Sequence, residues 1–130
     1  LNTAAGNSPY ITIYGTNYDT SDGTCIRDYI HVTDLSDAHV LALEYIQETK
    51  TSISLNLGNE QGTSVREIVE IAESVSKNNI RIIEGERRIG DPPVLIGSSQ
   101  KAKTLLNWCP KLTNIETIIE SAWSWQNSKC

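Results

Sequence analysis

Two hydrophobic periods alternate along the chain: a two-residue alternation in short runs and a 3.6-residue stripe in longer ones. Ile11, Thr12, Ile13 and Tyr14 form a β-prone run that Gly15 stops. Before it, residues 1–8 read as the tail of a helix closing at Gly6. The Asp-, Ser-, Thr- and Gly-rich stretch 17–24 is expected to be an exposed loop. A second strand is predicted over 28–32, with Ile30 and Val32 on one face and Tyr29 and His31 on the other. Residues 34–49 place Leu35, Ala38, Leu41, Ala42, Tyr45 and Ile46 on one helical stripe, with Thr33 or Asp34 as the N-cap. A short strand is predicted from Ile53 to Leu57. Ser64 and Glu67 then make a capping box for a helix that buries Val65, Ile68, Val69, Ala72 and Val75. Arg81 to Glu84 reads as another strand, and Asp91-Pro92-Pro93 as a break. A short helix near 101–108 precedes a last one over 115–126, with Ile115, Ile118, Ile119, Ala122 and Trp123 inward.

Strands alternating with helices make an α/β pattern. No first strand with a glycine-rich turn accompanies it, so half of a doubly wound fold is expected to lie elsewhere. The chain opens on Leu1 and contains no methionine, so it is expected to be a piece of a longer chain. Ala38, Ala42, Val69 and Ala72 are then candidates for a surface that the remainder would cover, leaving the isolated piece marginally folded.

Composition narrows the function. A formal net charge of -5 argues against nucleic acid or an anionic membrane as the main partner, while leaving room for a local cationic pocket. No apolar run approaches the ~20 residues that span a bilayer. Cys25, Cys109 and Cys130 are an odd, widely spaced set; they suggest neither a disulfide framework nor a zinc site and fit a cytoplasmic protein.

Three segments carry a resemblance. The first is Tyr10-Ile11-Thr12-Ile13-Tyr14-Gly15 followed by Asp22-Gly23-Thr24-Cys25-Ile26-Arg27-Asp28-Tyr29-Ile30-His31-Val32. The second is Asn56-Leu57-Gly58 leading to Gly62-Thr63-Ser64-Val65. The third is Arg87-Arg88-Ile89-Gly90-Asp91-Pro92, then 98–106 and Trp108. In this order and spacing the whole of 1–130 resembles the C-terminal, UDP-sugar-binding region of UDP-glucose 4-epimerases. These are extended Rossmann-type short-chain dehydrogenases/reductases whose N-terminal domain binds NAD. The resemblance implies that arginines at Arg27 and Arg88 reach the substrate diphosphate and that Asp91 accepts from the ribose hydroxyls. Thr12, Ile13 and Tyr14 would lie along the uracil, and Leu95 beside the sugar. It also implies UDP-glucose and UDP-galactose as substrates and a homodimer for the full-length enzyme.

The physical fit is direct. A diphosphate needs fixed cations, and a guanidinium offers forked donors with a permanent charge. By composition alone Arg27 with Asp28 reads as an exposed ion pair, and Arg87 and Arg88 beside Glu84 and Glu86 as a solvated cluster. Asp91 before Pro92 reads as a turn former, and Tyr14 as a strand-core aromatic. The family spacing favours Arg27, Arg88 and Asp91 as site residues, leaves Tyr14 balanced, and makes Arg87 structural.

His31, Asp34, Asp37 and His39 are close in sequence but fall on different elements, so convergence on one metal ion is not expected. Residues 58–64 lack the lysine of a phosphate-binding loop. No Tyr-x-x-x-Lys pair occurs, so the family's catalytic residues are not expected here and the isolated chain is expected to be inactive. A stand-alone, non-catalytic nucleotide-sugar module remains an alternative, as do epimerases of UDP-N-acetylhexosamines, for which Leu95 leaves room, or of UDP-pentoses.

Overall fold

The computed structural model describes residues 1–128, so Cys130 lies outside the described part. The chain runs β1 Ile11–Tyr14, β2 Ile26–Asp28, α1 Val32–Thr49, β3 Gly62–Ser64, α2 Val65–Ser76, β4 Ile82–Gly85, β5 Val94–Leu95, α3 Gln100–Leu106 and α4 Ile115–Asn127. The α/β class follows the sequence reading. β1 and β4 pair in parallel, with Ile11 opposite Ile82 and Tyr14 opposite Gly85. β2 is the middle of a three-stranded sheet, antiparallel to β3 and parallel to β5.

Two cores result. The first lies between the β1–β4 pair, α2 and α4, where Ile13, Val69, Ala72, Ile80 and Ile119 are buried and Trp123 packs against them. Fully burying a Val or Ile side chain contributes about 1.5–3 kcal/mol, so this cluster fixes α2 and α4 against the strands. The expected capping box starts α2: Ser64 Oγ accepts from Glu67 N–H at 3.0 Å, and Glu67 Oε2 accepts from Ser64 N–H at 2.8 Å. The opening turn also closes as expected, with Gly6 N–H donating to Thr3 O and Asn7 N–H to Asn2 O.

The second core joins α1 to α3 through Ala38, Ala102, Leu106 and Trp108. Trp108 is buried, and its indole N–H donates to Asp34 O at 2.9 Å. Asp34, expected as a cap, does something else: its carboxylate accepts from Lys111 N–H at 3.0 Å and Leu112 N–H at 2.9 Å. The N-cap is His31, whose Nδ1 accepts from Thr33 N–H at 3.1 Å. Nε2 therefore carries the ring proton and donates to Ser121 Oγ at 2.8 Å.

Further expectations need correction. The second strand covers 26–28 rather than 28–32, because His31 caps α1 and the Asp28 carboxylate turns aside to accept from Asn59 and Glu60 N–H. Residues 53–57 form no strand; Ile53, Leu55 and Leu57 pack on the second core instead. β3 and β5 went unforeseen, being too short to show a period. Of the residues expected on an uncovered surface, Ala38, Val69 and Ala72 are buried; the exposed large apolar positions of α1 are Val32, Val40, Leu43 and Ile46.

Candidate nucleotide-binding site

β1, the start of β2, the first residue of α2 and the turn after β4 converge on one cavity of about 210 Å³. Thr12, Ile13, Tyr14, Arg27, Arg88 and Asp91, six of the seven residues singled out in the sequence, all line it. Leu95 does not. It sits on β5 in register with Arg27 and hence on the same sheet face, largely exposed and outside the lining.

Each position has a local cause. Ile13 is 1% exposed, its side chain in the first core, so what it offers the cavity is main chain. Ile11 and Gly15 donate their N–H groups to Arg81 O and Gly85 O across the parallel ladder. By alternation Thr12 and Tyr14 turn their backbone groups to the opposite edge of β1, which has no described strand partner. Arg88 and Asp91 stand at the two ends of a tight turn in which Asp91 N–H donates to Arg88 O at 3.2 Å. Gly90, at φ 80°, takes the left-handed position such a turn requires.

The two arginines are held differently. Arg27 is half-buried, ion-paired to Asp91, and donates from Nη1 to Ile26 O at 2.6 Å. Arg88 makes no ion pair among the described residues; its Cζ rests 4.1 Å over the Tyr14 ring. A guanidinium on an aromatic face is steered without being neutralised, so its charge remains available. Arg87 is committed elsewhere. It donates to Asn17 Oδ1 at 2.6 Å and to Asn17 O, and lies 4.2 Å over the Tyr18 ring.

Beneath the cavity a buried polar network fixes the frame. The Asp22 carboxylate accepts from Thr24 N–H and Oγ at 2.8 Å each and from Ser64 Oγ. Thr24 Oγ in turn accepts from Arg66 N–H at 3.2 Å. Burial disfavours the charged form of Asp22, but the hydrogen bonds from Ser64 and Thr24 and the nearby Arg66 outweigh it, holding the carboxyl below its ordinary value. Because these partners occupy the first amides of α2, that helix end is already satisfied. Burial pushes the Tyr18 phenol up, with neighbouring Cys25 and Asp91 adding to the effect and Arg87 opposing it.

Sequence reasoning missed two lining residues, Cys25 and Val65. Cys25 lies two positions before Arg27, the spacing that puts both on one strand face. Val65, the first residue after the capping serine, gave no such signal. A larger cavity of about 600 Å³ lies between the start of α1 and α4, lined by Ile30, Val32, Ala122 and Trp125 among others. Its polar members, His31 and Ser121, bond to each other, and no charged side chain faces it. The smaller cavity is the one that carries cations.

The family model described as GDP-mannose 4,6 dehydratase matches residues 1–122. A UDP-glucose 4-epimerase of Halalkalibacterium halodurans is 47% identical over 125 residues, which is 96% of this chain and 37% of that protein. The chain belongs to the UDP-glucose 4-epimerase family. A crystal structure of a UDP-glucose 4-epimerase superposes with a TM-score of 0.91 at 47% identity, covering 98% of this chain and 39% of the other. The UDP-Glc/GlcNAc 4-epimerase of Campylobacter jejuni gives a TM-score of 0.85 at 43% identity, covering 99% and 39%. The Bifidobacterium longum UDP-glucose 4-epimerase, solved with NAD+ and UDP, gives 0.85 at 32% identity, covering 98% and 37%. The chain thus spans 37–39% of the length of these family members.

Proposed function

We propose that this chain is the substrate-binding portion of an NAD-dependent epimerase that interconverts UDP-glucose and UDP-galactose, and that its cavity holds the UDP moiety. One observation carries the reading: residues from three separated segments, two arginines, a carboxylate and an aromatic strand edge, meet in a single cavity. Arg88, free of any carboxylate, and Arg27 supply the diphosphate with forked donors. Asp91 accepts from the ribose hydroxyls. The unpaired backbone groups of Thr12 and Tyr14 and the Tyr14 ring take the uracil. The main chain of Ile13 continues that edge, and Leu95, beyond Arg27 on the same face, borders the sugar.

The described residues do not fit NAD. They hold no glycine-rich strand-to-helix turn, and the α2 amides are taken by Thr24 and Ser64. Hydride removal and return at the sugar is NAD chemistry, and this chain's share is to bind and orient the nucleotide. The isolated chain is accordingly inactive. The complete enzyme is a cytoplasmic homodimer on the strength of the family resemblance.

The test is an assay of the complete gene product with both sugars. Turnover of each is expected, and turnover of neither would defeat the proposal. UDP-N-acetylglucosamine belongs in the same assay, because a 43% identical relative is a UDP-Glc/GlcNAc 4-epimerase.

A further inference from the structure

Arg27 and Asp91 stand 64 positions apart in the chain, and both line the cavity. The backbone brings them together. Ile26 N–H donates to Pro93 O at 2.8 Å, and β5 pairs with β2 so that Val94 stands opposite Ile26 and Leu95 opposite Arg27. On its other side Asp91 is held by the turn that starts at Arg88. Its Oδ1 accepts from Arg27 Nη2, while Arg27 Nη1 turns back to donate to Ile26 O at 2.6 Å. A planar guanidinium tied at both terminal nitrogens has its plane fixed, so its remaining donors keep one direction. The second carboxylate oxygen, Oδ2, has only the Cys25 thiol at 3.7 Å, a weak donor that a hydroxyl group would displace.

We propose that Asp91 is a positioning residue for the Arg27 guanidinium as well as a ribose acceptor, so that affinity for the phosphates depends on a carboxylate that itself repels them. The inference rests on the UDP reading above. Asp91 acts on a bound diphosphate in two ways of opposite sign. Its charge repels the anion. Its hydrogen bond orders Arg27 in advance, and a free arginine would have to give up its rotamer freedom when the ligand arrives. Water reaches both side chains, at 22% and 27% exposure, so salt screens the repulsion and leaves the ordering untouched. Arg88, resting on the Tyr14 ring, supplies the uncompensated charge. Arg27 supplies direction.

The experiment measures UDP and uridine affinities of the complete gene product by displacement calorimetry at about 0.15 M salt. The unaltered protein is compared with Asp91→Ala, Arg27→Ala and the double variant. A ribose acceptor alone would cost both ligands equally, and loss of a repelling charge would raise the preference for UDP over uridine. Positioning predicts that Asp91→Ala lowers that preference by about three- to tenfold, and that in the Arg27→Ala background the same change no longer lowers it. The preference is a ratio within each variant, so it is unaffected by the fraction that folds. A preference that holds or rises in Asp91→Ala, or that falls as far with Arg27 absent, would overturn the inference alone. Failure of the unaltered protein to bind UDP would overturn the nucleotide reading on which it rests.

Discussion

The arginine-lined cavity and the outer face of α1 follow opposite rules within one chain. Beneath the cavity Asp22, Thr24 and Ser64 bond to one another, and two arginines line it. On α1, Val40 at 58%, Leu43 at 57% and Ile46 at 43% exposure leave an apolar stripe uncovered, and the 53–57 segment beside that helix forms no strand. The difference teaches that a complete site and a complete surface are separate properties. The cavity is assembled by strand pairing and by hydrogen bonds between separated segments, whereas the α1 face has the character of a surface meant to be covered.

The comparison breaks most readily at Trp108. Trp108→Ala should cost about 3–5 kcal/mol of stability, as large aromatic truncations do, by emptying the second core. Urea unfolding measures that loss. UDP affinity of the folded fraction should stay as it was; a parallel loss of binding would show that the two regions are one unit. Ser64→Ala strikes the other side. It removes the α2 cap and a donor to Asp22, and should cost about 1–2 kcal/mol. Because the cap frames the cavity, here UDP affinity should fall together with the melting temperature, and affinity that held would detach the frame from the site.

Glu60 ties the two regions together. Its Oε1 accepts from Ser99 N–H at 2.7 Å and Oγ at 3.0 Å at the start of α3, and its Oε2 accepts from Lys103 at 2.8 Å. The hydrogen bond from Lys103, then those from Ser99, lower its carboxyl from an ordinary 4.5 to about 2. A depressed folded value means that the contribution is present above about 4.5 and is lost as pH falls from there towards about 2. Glu60→Gln should therefore flatten the pH dependence of stability in that window and change little of its shape at neutral pH. An unaltered acid profile would show that the seam lies elsewhere. The smallest effect on folding is expected from Leu43→Glu, within about 0.5 kcal/mol because the position is exposed. Sedimentation should nevertheless show less self-association of the 130-residue chain; equal association in both forms would mean that the α1 stripe is not the sticky surface.

Much of this was legible in the sequence, and the exceptions have physical causes. The capping box at Ser64, the β1 run and the stripes of α2 and α4 rest on local chemistry, and local chemistry is what a sequence displays. The pairing of β2 with two strands of three and two residues is not local, and neither segment is long enough to carry a period. Asp34 read as a cap because its use, binding two amides of the 111–112 segment, depends on tertiary contact. Arg27, Arg88 and Asp91 came from the family resemblance; composition alone read them as surface charges and a turn former. Leu95 pairs with Arg27 across the β2–β5 ladder yet lies largely exposed and outside the cavity lining. Cys25, two positions before Arg27, also lines the cavity, and nothing in its local sequence marked it.

The central claim is that Arg27 and Arg88 form the diphosphate clamp while Arg87 holds the loop. Calorimetric titration of UDP into the complete gene product tests it, with Arg27→Ala, Arg87→Ala and Arg88→Ala compared at matched melting temperature. A charge-assisted hydrogen bond contributes roughly 1.5–3 kcal/mol, so losing Arg27 or Arg88 should weaken UDP binding by about ten- to hundredfold. Arg87→Ala should do much less, and Arg88→Lys should recover only part, since an ammonium lacks the planar fork. Unchanged affinity in both the Arg27 and Arg88 variants, or an equal loss in the Arg87 variant, would contradict the account.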